Sequence, residues 1–361
     1  MAWPTPQYSK NRVRTAGKRI AKSHRENGGI LAWGVYISRD EFDIIENWRT
    51  SHGAVLNTAQ AWLRRLDKLQ RPIVGQRLKR HSTIVDKLSS GRSQDLSTMH
   101  DIAGVRAIFR SIDEVEDFRD QMRQSKAQHR LMHEAEKFNY IAKPKDTGYR
   151  GIHEVIERQV ASSSGAPWNG LKFEVQLRTA VQHAWATAVE IYDDTQSARF
   201  KFQSSVNPAY EQFLIVSEMF SRIHEGRTGC HPEKSDRELE NRFTELEEQT
   251  HTVTMIHGLQ VAVNNSPLEK NSILQRTVNG ALFIRTYPSF PIALRAISQI
   301  EALPETLNAV LVGAKTPFHI REAFRNYFED TTDFVALLDE ALLKIRGDEH
   351  VDLWHKKSPS N

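Results

Sequence analysis

Lys172-Phe173-Glu174-Val175-Gln176-Leu177-Arg178-Thr179 alternates apolar with polar side chains along its length. Side chains of a strand point to opposite faces in turn, so Glu174, Gln176 and Arg178 share one face while Phe173, Val175 and Leu177 enter a core. The alanine-rich run Ala180-Val181-Gln182-His183-Ala184-Trp185-Ala186 follows at once with a helical pattern. A carboxylate, an amide, a guanidinium and an imidazole therefore meet at a strand-to-helix corner, a place where α/β sheets often carry their sites.

Outward from that corner the pattern alternates. Ser82 to Leu88 reads as a helix, Ile102 to Phe109 as an apolar strand, and Ser111 to Arg123 as a helix with Val115 and Phe118 inward. Phe138 to Ala142 reads as a short strand, His153 to Arg158 as another, and Ala161 to Gly165 as a flexible turn. This order predicts one α/β domain over 71–195. Before it, 1–70 reads as a basic and helical segment, with a periodic apolar stripe from Phe42 to Leu69. After it, 196–275 reads as a helical connector. Residues 276–361 follow as a small α/β domain with strands at 281–285 and 309–312, each trailed by a helix, and a last helix from Asp333 to Ile345.

The chain has 361 residues, enough for two domains, and 39% hydrophobic content without an apolar run of bilayer length, so no membrane partner is expected. Its single cysteine, Cys230, excludes an internal disulfide and fits a reducing cytoplasm. Cys230-His231 has no second Cys/His pair at zinc-ligand spacing, which leaves a free thiol. The net charge is only +4, but Lys10, Arg12, Arg14, Lys18, Arg19, Lys22 and Arg25 form a run with no acid among them. That run is either the solvated face of a helix, a loose tail, or a contact for a polyanion such as RNA. The stretch Glu233 to Glu248 is acidic and helical in pattern, which points it away from nucleic acid.

Three blocks, His100-Asp-Ile-Ala-Gly-Val-Arg106, Tyr140-Ile-Ala-Lys-Pro-Lys-Asp-Thr-Gly-Tyr-Arg-Gly-Ile-His153 and Phe173-Glu-Val-Gln-Leu-Arg-Thr-Ala-Val-Gln-His-Ala-Trp185, preceded by the cationic Arg71–Lys87 segment, resemble the synthetase domain of the RelA/SpoT family of ATP pyrophosphokinases. The resemblance implies a mixed β-sheet, nucleotidyltransferase-like synthetase domain flanked by helices, within an overall α/β (α+β) chain. It implies ATP as donor, Mg2+ as cofactor, and Asp101 and Glu174 as catalytic, metal-holding carboxylates. Arg77 and Arg106 match positions that hold the adenine, and Lys79, Thr83 and Lys87 match phosphate-side positions. Lys143, Lys145, Tyr149, His153, Gln176, Arg178 and His183 fall on the acceptor side, with Tyr149 the stacking ring. Read without the family, Asp101 is a cap or a partner of Arg106, Glu174 an ion pair of Arg178, and Tyr149 a packed hairpin aromatic. A separate hydrolase domain is not expected.

Family members differ in the acceptor. Some modify GDP or GTP and so make (p)ppGpp alarmones; a toxin subgroup modifies the 3′ end of tRNA and stops translation. The C-terminal stretch Phe324-Arg-Asn-Tyr327-Phe-Glu-Asp330 is similar to the end of the fused toxin-antitoxin synthetases of the CapRel type, in which a Tyr-x-x-Tyr motif plugs the ATP site until a phage protein binds. Here Phe324 replaces the first tyrosine, which keeps the ring but loses its hydroxyl. The resemblance thus implies autoinhibition by Phe324 and Tyr327, tRNA as acceptor with GDP/GTP as the alternative, and a phage protein such as a major capsid protein as trigger. No DNA partner is expected.

Overall fold

The computed structural model describes residues 3–29, 36–66, 72–127, 129–197, 207–258, 268–278 and 280–347. Leu69 and Arg71, both used in the sequence reading, lie outside these residues, as does everything after 347.

The chain opens with α1 (Lys10–Glu26), whose N-cap Ser9 accepts from the amide of Arg12. Its buried residues Val13, Ala16, Gly17, Ile20 and Ala21 follow helical spacing, so the basic run is a packed helix and not a loose tail. Gly17 is needed there, since a Cβ would stand 2.7 Å from Leu96 Cβ. The long helix α2 (Arg39–Leu66) leads to β1 (Ile73–Leu78), α3 (His81–Ser89), a 3-10 turn at Leu96–Thr98, β2 (Ala103–Phe109) and α4 (Ile112–Gln124). Ser111 caps α4 on the Glu114 amide, and Glu114 returns a bond to the Arg110 amide, which fixes where that helix starts. Then come β3 (His129–Leu131), β4 (Ile152–Arg158), β5 (Lys172–Thr179) and the helices α5 (Ala180–Ser197), α6 (Pro208–Glu225), α7 (Asp236–Thr250) and α8 (Thr252–Gly258). The C-terminal region runs β6 (Asn271–Thr277), β7 (Leu282–Thr286), α9 (Phe290–Glu301), β8 (Thr306–Ala314), α10 (Pro317–Ala323), a 3-10 turn at Arg325–Phe328 and α11 (Thr332–Arg346).

All eight described strands form one mixed sheet in the order β3-β4-β5-β2-β1-β8-β6-β7. Only β2 and β5 pair in parallel, with Gly104 opposite Glu174 and Arg106 opposite Gln176; the other neighbours are antiparallel. The sheet crosses the boundary that the sequence reading sets at 275/276, because β8 pairs with β1 through Gly75–Ala314, Gln76–Gly313 and Arg77–Val312. The first strand of this C-terminal extension, β6, already begins at Asn271. The final helix α11 leaves the sheet and packs with α5 to α8 in a second core around Phe213, Phe220, Phe243 and Phe334.

The two faces of the sheet differ in chemistry. One buries Val74, Leu78, Val105, Phe173, Val175, Leu177, Ile273 and Leu311 in the main core shared with α1, α2 and α9. The other carries Gly75, Arg77, Arg106, Glu174, Gln176 and Arg178, and α10 with the following 3-10 turn lies across it. Phe138 to Ala142 is not a strand. It ends a 3-10 turn, Ala135–Phe138, and pairs with the sheet through a bridge of Asn139 with Ile152.

Candidate active site

The residues expected on the donor side gather where β1 ends and α3 begins. Lys79 follows β1, and Thr83 and Lys87, one turn apart on α3, share a helix face. The ammonium groups of Lys79 and Lys87 each stand 2.9 Å from the same oxygen of Asp101, Oδ2. Burial raises the Asp101 carboxyl, but the two lysines outweigh that, and its pKa lies below the usual carboxylate value. Its other oxygen, Oδ1, is buried and has no hydrogen-bond partner. Arg106 is not its partner, contrary to the helix-cap or salt-bridge alternative: on β2 the Arg106 side chain projects to the far end of the site and donates to the carbonyl of Ala323 at 2.7 Å.

Glu174 on β5 meets residues expected on the acceptor side. Its Oε1 lies 3.0 Å from His153 Nδ1, and its Oε2 accepts from Gln176 Nε2 at 2.8 Å. The alternative of an ion pair with Arg178 is not formed: Arg178 turns instead to the Tyr149 hydroxyl at 3.1 Å. That hydroxyl also lies 2.5 Å from His153 Nε2, so Arg178, Tyr149, His153 and Glu174 form one connected chain. Burial alone pushes His153 down, yet Tyr149 and Glu174 reverse this and raise it to about 9. Burial pushes Tyr149 up, and Arg178 and His153 bring it down to about 8. Glu174, opposed by burial but held by His153, stays far below the carboxylate range and is ionised at neutral pH.

The loop before β4 presents Tyr149 through two glycines. Gly148 has φ +85°, and a Cβ there would press on Leu214, Ser217 and Trp185; Gly151 has φ +149° and sits against the Tyr149 hydroxyl. Lys145 lies 4.9 Å over the Tyr149 ring and 4.3 Å over that of Tyr140. Lys143 is exposed on the same loop and joins neither cluster. Glu225, at the end of α6, gathers the base of this side: it accepts from Arg150, from Thr179 Oγ1 at 2.6 Å and from Gln182 Nε2 at 3.0 Å.

The C-terminal segment closes over the arginines. Phe324 stacks 5.9 Å from the Arg106 guanidinium, and Tyr327 lies 5.9 Å from that of Arg80; both rings are buried. Gly75 makes room for this: a Cβ there would meet Ala323 Cβ at 2.5 Å and the Phe324 ring at 3.0 Å. Burial, then the neighbouring Arg178, lowers Arg106 to about 9. Glu190 on α5 lies 3.7 Å from Arg106 as a counter-charge. His183 Nε2 lies 2.8 Å from the carbonyl of Glu322. The sequence reading missed Arg80, Glu190 and Glu225, and for Arg80 the signal was present in the cationic block that contains it.

His183 gives the closed arrangement a pH dependence. Burial, then Arg106 and Arg178, with Arg325 beyond, hold it well below its ordinary pKa, so it stays neutral and donates to Glu322. A histidine with a depressed pKa contributes stability that is complete above its ordinary value and is lost as pH falls below it. Protection of the 320–328 amides relative to their intrinsic exchange rates should therefore fall between about pH 7 and 5. His183→Gln, which keeps a donor but not the titration, should flatten that dependence; an unchanged profile in the variant would assign it to another group.

No helix among the described residues is long and apolar enough to cross a membrane. No group of three or more His, Cys, Asp or Glu side chains converges to hold a metal among them. Asp101 Oδ1 and Glu174 nevertheless suit a hard divalent cation that takes most of its ligands from phosphates and water.

Residues 76–195 match the family model described as a region found in RelA / SpoT proteins. The chain is similar to the GTP pyrophosphokinase YwaC of Bacillus subtilis (strain 168), 31% identical over 117 residues that cover 31% of this chain and 52% of that protein. It is also similar to the GTP pyrophosphokinase YjbM of the same organism, 28% identical over 132 residues covering 36% and 57%. The chain thus spans about half the length of the curated relatives it matches. Among solved structures, small alarmone synthetase 1 from Bacillus subtilis bound to its product pppGpp aligns with a TM-score of 0.43 at 21% identity, covering 50% of this chain and 92% of that one. Small alarmone synthetase 2 from Bacillus subtilis aligns with a TM-score of 0.40 at 23% identity, covering 50% and 91%.

Proposed function

We propose that this chain is an ATP-dependent pyrophosphokinase that modifies the 3′ end of tRNA, and that its C-terminal segment holds it closed. The observation that carries the chemistry is Asp101: two lysines occupy one oxygen while the other is buried and unpaired, two residues before the strand that pairs in parallel with that of Glu174. Asp101 and Glu174 would hold Mg2+, which supplies neutralisation of the triphosphate charge.

The remaining work falls to the chain's own side chains. Lys79 and Lys87, with Thr83, bind the phosphates, and Arg77 and Arg106 take the adenine on their guanidinium planes. Tyr149 stacks the acceptor base, a contact worth roughly 1 to 3 kcal/mol. A ribose 3′ oxygen then forms a bond to the β-phosphorus as the bond to the bridging oxygen of AMP breaks, and AMP leaves. The loose transition state of such transfers asks little of a base. Glu174, held ionised by His153, suits charge stabilisation first and takes the hydroxyl proton late.

The acceptor reading rests on α1, whose Lys10, Lys18, Lys22 and Arg25 are exposed, and on the closing segment. Modified tRNA cannot be aminoacylated, so release of the segment by a phage protein, such as a major capsid protein, would stop translation in an infected cell. A second reading, transfer to GDP or GTP, is supported by the names of the relatives YwaC and YjbM. Incubation with β-labelled ATP, magnesium and either tRNA or GDP/GTP, with and without phage capsid protein, separates them. Label in tRNA supports the first; label only in guanosine tetra- or pentaphosphate rejects it for the second.

A further inference from the structure

Behind the donor site lies a buried ion cluster that no step above uses. Arg49 of α2 is fully buried and makes a two-pronged pair with Glu301 of α9, Nη2 to Oε1 at 3.0 Å and Nη1 to Oε2 at 2.9 Å, across 252 residues of sequence. His81, the first residue of α3, bridges Glu46 Oε2 at 2.8 Å and Glu301 Oε2 at 3.0 Å, and Ser298 of α9 donates to Glu46. The remaining nitrogen of Arg49, Nε, donates to the backbone carbonyl of Lys79 at 2.7 Å. The amide of Lys79 is fixed from the other side by the carbonyl of Ile102 at 2.9 Å. Lys79 is thus held at both its amide and its carbonyl, and its side chain reaches Asp101.

We propose that Arg49 is a positioning residue for the donor site, clamped by Glu301, so that α9 sets where the Lys79 ammonium and the Arg80 guanidinium stand. The inference rests on the pyrophosphokinase reading only for what Lys79 binds. It gives the C-terminal region opposed roles: the 322–327 segment covers the site, while α9 assembles it. Partners of a buried ion pair are costly to orphan, and a misplacement of about 1 Å in a binding group is costly to affinity and rate. Loss of Glu301 should therefore weaken ATP binding, whereas loss of the aromatic cover should strengthen it.

The test compares Glu301→Gln and Arg49→Lys with the wild-type chain, each also in the Tyr327→Ala background. KM for ATP, KM for the acceptor, melting temperature and affinity for a non-hydrolysable ATP analogue are measured. Phe243→Leu, a cavity in the second core, serves as a destabilised control. The expected result is a rise in KM for ATP and in the analogue's Kd of about tenfold, with KM for the acceptor unmoved. Phe243→Leu should lower the melting temperature and leave both KM values in place. If Arg49→Lys does not fold, Glu301→Gln alone decides, since it keeps an acceptor for Arg49. The inference is overturned if only the melting temperature falls, or if both KM values rise together. A chain that binds the analogue yet transfers nothing would remove the reaction reading and leave analogue affinity to judge the clamp.

Discussion

Asp101→Ala and Glu174→Ala should each lower pyrophosphoryl transfer by roughly a thousandfold, the scale on which enzymes lose rate when a group that stabilises transition-state charge is removed. The two losses should differ in kind. Without Asp101, Lys79 and Lys87 stand together with no carboxylate between them. They would still bind phosphate, so the analogue's affinity should fall less than the rate. Without Glu174, His153 loses the charge that helps raise it to about 9 and should titrate nearer its ordinary value. Its imidazolium resonances, followed by NMR against pH, would report that change even in an inactive variant. Transfer by either variant at the wild-type rate would remove that carboxylate from the mechanism.

Removing the cover should act in the opposite direction. Tyr327→Ala deletes a buried ring resting on Arg80, and losses of buried aromatic side chains cost about 3 to 5 kcal/mol. A share of that loss falls on the closed form alone, so basal transfer should rise at least about tenfold. Gly75→Ala reaches the same end without a substitution in the segment: the new Cβ would meet Ala323 Cβ at 2.5 Å, closer than such atoms approach, and would also press on the Phe324 ring. The two variants should both raise growth inhibition, and addition of Glu174→Ala should silence each. Growth inhibition by both at the wild-type level would mean that the segment does not restrain the site, whatever its position in the fold.

The site was more legible than the sheet that carries it. Glu174, Gln176 and Arg178 stand out because strand alternation puts polar groups on one face, and β5 obeys that alternation from Lys172 to Thr179. β1 was hidden by its own composition. Gly75 and Arg77 occupy the site face, and Gln76 is buried on the apolar side where its side chain fits against Gly313, so no alternation survives. β6 was hidden likewise by the buried Ser272 and Gln275. The pairing of β1 with β8 joins segments more than 200 residues apart, and no local pattern encodes it. Arg49, Glu225 and Glu301 are ordinary charged helix residues in sequence, and only packing gives them partners. His183 was placed on the right corner, but its direction depends on a segment that returns from the far end of the chain.

The most direct test of an ATP pyrophosphokinase restrained by its own C-terminal segment is the rate at which label from β-labelled ATP enters tRNA, compared for wild type, Tyr327→Ala and Tyr327→Ala with Glu174→Ala. The account predicts slow transfer for the first, transfer at least about tenfold faster for the second, and none for the third. Equal rates in all three, or label in neither tRNA nor a guanosine nucleotide under any condition, would contradict it.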